Sequence, residues 1–494
     1  MSRTISIDPI TRLEGHGKID ILLDDAGNVA DAYLQVVELR GFEAFCQGRP
    51  VEELPRITPK ICGVCPGAHH MAAAKACDAV FGVEPPPAAK KLRELFLSAH
   101  IVHSHLLHFF ALAAPDFVPG ASAPAAQRNL LGLVAEVGLD VGRKVLETRG
   151  MAQRIQGMIA GHPIHPVAAL PGGMSKPLSE PERAEIETMA VRLVDFSKQA
   201  LELFRKAVLG NAGHAEVVAS DTYRHETYYA GLVDPDGRVS FYDGEVRVVS
   251  PSGAELAQFA ASDYLEHIAE KVVPWSYLKV PYLKAVGYRG IVDGADSGIF
   301  RVNSLARLNV ASGMATPLAQ EAYEAMYAHF GARPVHHTLA YHWARLIECL
   351  YCAERTLELA RDPEVASPEV RTLPSATPKE GVGVVEAARG TLYHHYRTDS
   401  NGLVKSVNLI VATVQNNGAM NLSVKKAAAE LIRGGEVSEE LLDRVEMAFR
   451  AYDPCLACAT HALPGQLPLV VRIHGADGQV RELCRDADGA PCVR

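Results

Sequence analysis

Two Cys-x-x-Cys pairs lie near opposite ends of a chain of 494 residues. Cys62 and Cys65 form the first pair and Cys455 and Cys458 the second, so that the 389 residues of 66–454 lie between them. Two intervening residues allow both sulfurs of a pair to face one point, and two such pairs predict a four-thiolate site for a soft or borderline metal. A fold that builds this site has to bring the two ends of the chain together.

The simplest alternative is a structural zinc site, which two such pairs often form when a short segment separates them. A structural zinc usually organises a small module that cannot fold without the metal. Here 48% of the residues are hydrophobic, which is enough to bury a core without a metal. Ionisable residues also flank the pairs, His69 and His70 after the first and Asp453 and His461 around the second. These features favour a buried functional site, and structural zinc stays open as the alternative.

Composition and charge exclude several classes of protein. The chain carries 58 acidic and 49 basic side chains without a block of like charges, so neither a nucleic acid nor an anionic membrane surface is an expected partner. Residues 1–9 lack the apolar stretch of a signal peptide, and ten cysteines are too sparse for a disulfide scaffold. We therefore predict a cytoplasmic protein with reduced thiols and no membrane span. Export together with a partner that carries its own signal is the alternative.

The hydrophobic pattern predicts a mainly helical protein. Alternating apolar residues predict a hairpin over 18–36, whereas 210–310 reads as loops and short strands. Apolar residues three and four positions apart predict long helices over 90–114, 135–160, 180–209 and 335–360, and shorter helices over 421–433 and 439–452. Ser179 before the third long helix is the expected N-cap. The predicted fold class is α+β, mainly α, with a large helix-bundle core and peripheral β-hairpins.

Five short motifs in a fixed order identify a family. They are Arg-Leu-Glu-Gly-His at 12–16, Arg-Gly-Phe-Glu at 40–43, Cys-Gly-Val-Cys at 62–65, Ala-Ala-Arg-Gly at 387–390 and Asp-Pro-Cys-x-x-Cys-x-x-His at 453–461. The chain resembles the large, catalytic subunit of nickel–iron hydrogenases, and most closely their cytoplasmic branch, which passes electrons to NAD, a deazaflavin or heterodisulfide reductase. It departs from the family pattern at Ala388, where a proline is usual.

The resemblance implies that the four cysteines hold a nickel–iron centre. Cys62 and Cys455 would be terminal nickel ligands, while Cys65 and Cys458 would also bridge to an iron that carries carbon monoxide and cyanide. Thiolates stabilise redox-active nickel. The implied activity is the reversible heterolytic cleavage of H2 to protons and electrons.

The resemblance also implies roles for four charged residues. Arg389 would lie over the open metal position, as a base or to orient hydrogen, with Asp116 and Asp453 around it. Glu14 would take the proton from the terminal thiolate and pass it outward, for which a shifted pKa beside the metal is suited. Without the motifs, Arg389 reads as a surface ion pair, Asp453 as a turn residue and Glu14 as a solvated acid.

Further ligands follow from the same resemblance. Glu43 and His461 would bind a buried magnesium or iron ion near the C-terminus, with a backbone carbonyl from 415–417 as a third ligand. His69 would donate a hydrogen bond to a bridging sulfur. Taken alone, the asparagine-rich segment is typical of a turn, and His69 of a buried core histidine.

The last 33 residues resemble a maturation extension. A nickel-dependent endopeptidase would cut between His461 and Ala462, which leaves 1–461 as the large-subunit domain and removes 462–494. The extension would hold the site open for metal loading, and cutting would let it close. The alternative is that 462–494 is simply a final hairpin, since its apolar run ends at an Asp-Gly turn.

Several other residues read as structural. Cys349 and Cys352 form a third Cys-x-x-Cys pair, but their helical setting favours core packing. Four histidines share one apolar helix, where packing against the bundle core or another subunit is favoured over a ligand cluster; they are His100, His103, His105 and His108.

Partners and competing functions complete the prediction. Because no further cysteine-rich cluster motif is present, electrons would leave through an iron–sulfur small subunit, then through further subunits of diaphorase, deazaflavin-linked or heterodisulfide-reductase type. The alternatives are a non-catalytic subunit of a related respiratory complex, a hydrogen sensor and a zinc-binding scaffold. The retained cysteines argue against the first, and the extension argues against the second.

Overall fold

The computed structural model describes residues 3–460, 469–474 and 480–485. It is 49% helical and 18% strand, which confirms the predicted mixed class with a helical majority. The α-helices are α1 (Phe42–Cys46), α2 (Leu54–Ile57), α3 (Pro66–Phe81), α4 (Pro87–Leu107), α5 (Leu130–Val137), α6 (Leu139–Ala160), α7 (Glu180–Phe204), α8 (Ala212–Val218), α9 (Tyr264–His267), α10 (Ser304–Val310), α11 (Pro317–Phe330), α12 (Tyr341–Arg361), α13 (Ala412–Gln415), α14 (Asn417–Leu431), α15 (Glu439–Arg450) and α16 (Leu456–Ala459).

The strands form separate small sheets. They are β1 (Arg3–Ile7), β2 (Gly17–Leu23), β3 (Val29–Val36), β4 (Ala169–Leu170), β5 (Gly173–Met174), β6 (Tyr228–Val233), β7 (Glu245–Val249), β8 (Glu255–Phe259), β9 (Ile268–Lys271), β10 (Val280–Leu283), β11 (Phe300–Arg301), β12 (Glu380–Ala387), β13 (Gly390–Thr398), β14 (Val404–Ile410), β15 (Leu469–His474) and β16 (Val480–Arg485). The sheet orders are β1-β2-β3, β4-β5, β11-β6-β7-β8, β10-β9, β12-β13-β14 and β15-β16. The predicted hairpin over 18–36 is confirmed as β2 and β3.

The four long helices pack as a closed ring. Helix α4 contacts α6 and α12, and α7 contacts the same two helices. Two of the predicted helices end in π-helical turns, at His108–Ala113 and Arg205–Leu209. The predicted start of the second long helix was too early, because Gly138, with φ +92°, separates α5 from α6. The helix-bundle core is therefore confirmed.

Helix α4 is a core element. The segment Pro87–Asp116 is long and apolar enough to cross a membrane by length and composition, but 78% of its most apolar window is buried inside the protein. Its histidines bond to neighbouring core elements: His100 to Gln156, His105 to Glu348 and His108 to the carbonyl of Arg450. These contacts favour the core-packing interpretation over a ligand cluster.

Helix α3 lies unusually close to the sheet of β12 and β13. A Cβ atom at Gly383 would lie 2.2 Å from the carbonyl oxygen of Ala72, and one at Gly381 would lie 2.4 Å from the backbone nitrogen of Val80. Only glycine fits such a close approach. The two glycines therefore fix α3, and with it Cys65 at its N-terminus, against the sheet.

Candidate metal centre

The first cysteine pair lies where a short turn meets α3. Thr58–Ile61 form a single 3₁₀ turn, Cys62 follows in an extended conformation, and Cys65 is the N-cap of α3. The backbone N–H of Val64 donates a hydrogen bond of 3.2 Å to the Cys62 sulfur. Such a bond stabilises a thiolate. Because α3 packs on β12 and β13, the sheet sets the position of this pair.

The second pair opens the short helix α16. Cys455 is its N-cap, and the Cys455 N–H donates to Thr413 Oγ1 at 3.0 Å. The segment forms a parallel bridge with the N-terminal part of the chain, since the Leu456 N–H donates to the carbonyl of Glu14 at 3.0 Å. The two ends of the chain are thus joined by backbone hydrogen bonds at the site.

The four sulfurs converge on one buried point. All four lie within 4.8 Å of one another. The Sγ–Sγ distances are 3.3 Å for Cys62 and Cys455, 3.0 Å for Cys65 and Cys458, and 2.8 Å for Cys455 and Cys458. A metal with bonds of about 2.3 Å to four sulfurs would hold them about 3.8 Å apart. The cluster therefore has the size of a metal site.

Four thiolates require a cation in this space. Burial raises the pKa of the Cys455 and Cys458 thiols well above its usual value. Hydrogen bonds from the neighbouring thiols, that of Cys455 first, lower the pKa of Cys62. Without a metal, burial therefore favours the protonated form of the Cys455 and Cys458 thiols. A metal needs deprotonated ligands and displaces these protons, and the all-sulfur donor set fits a soft or borderline cation such as nickel.

Glu14 lies against the second pair. Its Oε2 accepts a hydrogen bond of 3.1 Å from the Ala457 N–H. Burial and the nearby Cys62 raise the pKa of the Glu14 carboxyl, although its hydrogen bond to Cys455 acts in the opposite direction. A carboxyl with a raised pKa beside a cluster sulfur can exchange a proton with a thiol.

Arg389 lies in the turn between β12 and β13 and faces Asp453. Its Nε donates to the Asp453 carbonyl at 2.7 Å and its Nη2 to the Asp453 carboxylate at 3.0 Å. Burial opposes its charge, but Asp453 and the nearby Cys455 and Cys65 raise the pKa of Arg389 well above its usual value. Its Nη1 has no hydrogen-bond partner among the described residues. The site therefore contains a charged guanidinium whose Nη1 group is available to donate a hydrogen bond.

Asp116 has other partners than the resemblance implied. Its carboxylate accepts two hydrogen bonds from Arg450 Nη1, of 2.7 and 2.8 Å, and pairs with Arg12 as well. It forms no ion pair with Arg389 in the described part of the chain. The expected place of Asp116 around Arg389 therefore stays a prediction. A buried carboxylate is stabilised by the cations that enclose it, and here two other arginines do so.

His69 lies one turn into α3 and contacts a second histidine. Its Nδ1 is 3.0 Å from His394 Nε2, and His394 Nδ1 is 2.5 Å from the Tyr396 hydroxyl. All three side chains are buried. The expected hydrogen bond from His69 to a bridging sulfur stays a prediction.

Glu43 is buried on α1, which packs against β14. Its Oε1 accepts a hydrogen bond of 2.8 Å from the Leu409 N–H. Leu409 precedes the expected carbonyl segment 415–417 by six residues. Within that segment, the Gln415 side chain donates a hydrogen bond to the Thr391 carbonyl. The other expected ligand, His461, and Ala462 at the expected cleavage point lie outside the described residues.

Comparison with known proteins decides the family. A family model described as nickel-dependent hydrogenase matches residues 40–137 and 238–461, and one described as HoxL-like matches residues 4–39. The chain is 50% identical over 485 residues to the iron-sulfur subunit of the F420-non-reducing hydrogenase from Archaeoglobus profundus, with 98% of this chain and 100% of that protein covered. This chain belongs to the nickel-dependent hydrogenase family.

Other relatives agree with this hydrogenase assignment. The chain is 40% identical over 499 residues to the NAD-reducing hydrogenase HoxS subunit beta of Cupriavidus necator, with 97% of this chain and 99% of that protein covered. A crystal structure of an NAD+-reducing NiFe-hydrogenase in the H2-reduced state superposes with a TM-score of 0.87 at 41% identity, with 93% of this chain and 99% of that chain covered. The fold of this hydrogenase is therefore that of a large subunit.

Sequence reasoning missed the buried charges that support this hydrogenase site. Arg307 on α10, Glu348 on α12 and Glu386 on β12 are fully buried, and both glutamates form ion pairs with Arg307. The signal was present in the sequence, because each lies inside an apolar run, where a charged residue is rarely buried without a partner. By contrast, the core-packing prediction for Cys349 is confirmed, since it is buried on α12 and burial raises its pKa to about 12.

Proposed function

We propose that this hydrogenase subunit cleaves H2 reversibly and heterolytically at a nickel–iron centre held by its four clustered cysteines. The convergence of two sulfur pairs from opposite ends of the chain, within 4.8 Å, carries the proposal. Cys62 and Cys455 would hold the nickel alone, and Cys65 and Cys458 would hold both the nickel and an iron that carries carbon monoxide and cyanide. When bound, the centre supplies the redox-active metals that take up the electrons of hydrogen.

The chain's own residues hold and move the proton. Glu14 is assigned as the acceptor of the proton from the Cys455 side of the cluster, because its carboxyl hydrogen-bonds there and its pKa is raised. Arg389 is assigned to the open face of the centre, where its unused Nη1 donor can orient hydrogen. Asp453 holds the Arg389 guanidinium in place and balances its charge.

A second ion is proposed near the C-terminus. Glu43 and His461 would bind magnesium or iron, with a backbone carbonyl as a further ligand. The buried carboxylate of Glu43 supports this proposal, because oxygen ligands are those that a hard cation prefers.

The proposed electron route leaves through other subunits. Among the described residues, only the four-cysteine group has the arrangement of metal ligands. Electrons therefore need a further carrier, and an iron–sulfur small subunit supplies it, followed by subunits of diaphorase, deazaflavin-linked or heterodisulfide-reductase type. One relative is named as part of an NAD-reducing enzyme and another as F420-non-reducing. The ten cysteines are too few for a disulfide scaffold in a chain of this length, which supports a place in the cytoplasm.

Maturation by proteolysis is part of the proposal. Cleavage between His461 and Ala462 would remove 33 residues, about 3.6 kDa at the mean residue mass of the chain. We expect the intact mass of the active protein to be lower by this amount. A full-length chain that turns over hydrogen would contradict cleavage, and leave 462–494 as a final hairpin.

Metal analysis with infrared spectroscopy tests the central proposal. Purified protein should contain equal amounts of nickel and iron, and show carbon monoxide and cyanide bands. Cys65→Ser should lose both metals, because a hydroxyl is a poor ligand for soft metals. The matched control is Cys349→Ser, which changes a buried cysteine of the core and should keep both metals. Zinc alone in the unmodified protein would contradict the proposal and favour the zinc scaffold. Nickel and iron without hydrogen turnover would favour the sensor, and a protein that binds no metal would favour the non-catalytic subunit.

A further inference from the structure

The turn that carries Arg389 is not fixed by its own backbone. Ala387 pairs with Gly390 across the β12–β13 hairpin, which leaves Ala388 and Arg389 as the two turn residues. The two-residue turns that match the twist of a hairpin need a positive φ at one or both central positions. Neither Ala388 nor Arg389 has one, whereas Gly390 does, with φ +125°. The turn therefore needs support from outside the hairpin.

Arg307 gives that support with all of its donors. An arginine side chain has five N–H donors, and Arg307 makes five hydrogen bonds. Nε and Nη2 donate to the two oxygens of Glu348, at 2.5 and 2.6 Å, and Nη1 donates to Glu386 at 2.6 Å. The remaining two bonds go to the turn, from Nη1 to the Ala387 carbonyl at 3.0 Å and from Nη2 to the Ala388 carbonyl at 3.3 Å.

The guanidinium of Arg307 is itself held from three sides. Glu348 on α12 binds it in a bidentate pair and also contacts His105 of α4. Glu386, at the end of β12, accepts further hydrogen bonds from the Thr391 hydroxyl and the Leu232 N–H. Neither carboxylate is exposed. The two bonds to the turn carbonyls therefore join the turn to a guanidinium that α12 and β12 hold in place.

We propose that Arg307 is a positioning residue for Arg389. By fixing the two carbonyls that precede Arg389, it sets the direction in which the Arg389 side chain leaves the turn and meets Asp453. This inference rests on the proposed function, because it takes Arg389 to act at the metal centre. A rigid support for a catalytic side chain matters, since a displacement of about 1 Å can lower a rate 100-fold.

Arg307→Lys tests the inference in the assembled hydrogenase. Lysine keeps the charge but has three donors on one nitrogen, and cannot bind both carboxylates and both carbonyls. We expect unchanged nickel content and KM for H2, and a kcat lower by roughly tenfold to 100-fold. In a crystal structure of the variant complex, the 3.0 Å distance from Arg389 Nη2 to Asp453 Oδ1 should exceed about 4 Å. This structural readout does not depend on turnover.

Arg93→Lys is the matched control. Arg93 is fully buried, pairs with Asp78 and donates to the carbonyls of Leu170 and Gly173, as Arg307 does elsewhere. Asp78 lies 13 residues after Cys65 along α3, about 20 Å away. The control variant should lose thermal stability and keep kcat.

A second substitution separates positioning from stability. Proline fixes φ near −65° and suits the first central position of a turn without positive φ. Ala388→Pro should therefore recover a large part of kcat in the Arg307→Lys background.

If Arg307→Lys does not fold, Glu348→Gln weakens the same support while keeping the side-chain shape, and the same losses are expected. Wild-type kcat with Arg389 unmoved, or losses no larger than in the control, would overturn the inference; zinc alone in unmodified protein would overturn the proposed function instead.

Discussion

Asp453 has two roles, one in the conformation of the backbone and one as the ion-pair partner of Arg389. Its φ of +54° lies in the left-handed region, which Asp and Asn tolerate better than other non-glycine residues. The preceding carbonyl, that of Tyr452, accepts a hydrogen bond of 2.6 Å from the Asn303 amide. The sequence left two interpretations open, a partner of Arg389 or a turn residue, and the structure shows both.

Asp453→Asn separates these two roles. Asparagine keeps the left-handed backbone, but the charge that faces the buried Arg389 is lost, so the free energy of unfolding should fall by about 3–5 kcal/mol. We expect normal nickel content and a kcat lower by roughly 100-fold, because a preorganised charge beside the reacting atoms is removed. Asp453→Ala should lose activity too, and about 1 kcal/mol more stability than Asp453→Asn because of backbone strain. Equal melting temperatures of the two variants, or an unchanged kcat in Asp453→Asn, would argue against this account.

Glu14→Gln tests proton transfer at the other side of the cluster. The amide oxygen still accepts from the Ala457 N–H, but glutamine cannot carry a proton. We expect kcat to fall by roughly 100-fold to 10,000-fold with nickel retained. Glu354→Gln is the matched control, since Glu354 is buried and, like Glu14, accepts backbone hydrogen bonds; it should keep kcat. Similar activity losses in both variants would remove the special role of Glu14.

The sequence motifs predicted which residues lie at the site better than they predicted which charged residues pair there. The four cysteines and the pair of Arg389 with Asp453 lie together as their motifs implied. The partners of Asp116 could not be predicted, because Arg12 and Arg450 are 104 and 334 positions away and only the fold brings them to it. A motif identifies a residue type at a position, but charge pairing depends on every buried group nearby.

At the scale of elements, the long helices of the bundle were predicted and the shorter helix α3 was not. Ser179 caps α7 as predicted, in a capping box with Glu182. Helix α3 was missed because nearly all of its residues are buried, so that its apolar residues show no helical period. The strands β12 and β13 are buried on both faces over most of their length, which removes the alternation that marks a strand.

Helix α3 also contains His70, whose two hydrogen bonds need the neutral form of the imidazole ring. His70 Nδ1 donates to the Pro55 carbonyl at 2.6 Å, and its Nε2 accepts from the Ala169 N–H at 2.9 Å. Protonation of Nε2 would place its new N–H group opposite the Ala169 N–H, so that two donors would face each other. Burial, with a contribution from Arg93, lowers the pKa of His70 from 6.5 to about 4.

This shift predicts a loss of stability in mild acid. Below pH 6.5 the unfolded chain binds the proton, whereas the folded chain binds it only near pH 4, so stability falls as the pH drops through that window. The loss from His70 alone is about 2 kcal/mol at pH 5. His70→Gln should have a lower melting temperature at pH 7.5 and a smaller decrease between pH 7.5 and 5. An unchanged decrease would show that His70 does not contribute.

At the scale of the whole molecule, the sequence required the chain ends to meet but did not show how. Closing a loop of 389 residues costs roughly 3 kcal/mol more than closing one of 15, since the entropy grows with the logarithm of length. The burial of a hydrophobic core is worth on the order of 100 kcal/mol. The fold brings the ends together by hydrogen bonds such as that from the Arg40 N–H to the Thr460 carbonyl, at 2.7 Å.

The chain should therefore stay folded without its metal, unlike a structural zinc module. Cys62→Ser/Cys455→Ser, which removes two ligands of the cluster, should abolish nickel binding and hydrogen turnover. Its far-UV circular dichroism should stay native, because the ring of α4, α6, α7 and α12 does not depend on the sulfurs. We expect one cooperative thermal transition, shifted by a few degrees, as about 1–2 kcal/mol does in a chain of this size. Cys349→Ser/Cys352→Ser, with two core cysteines changed, is the matched control and should keep nickel. Loss of the native spectrum in the first variant alone would mean that the metal, rather than the hydrophobic core, joins the two ends of the chain.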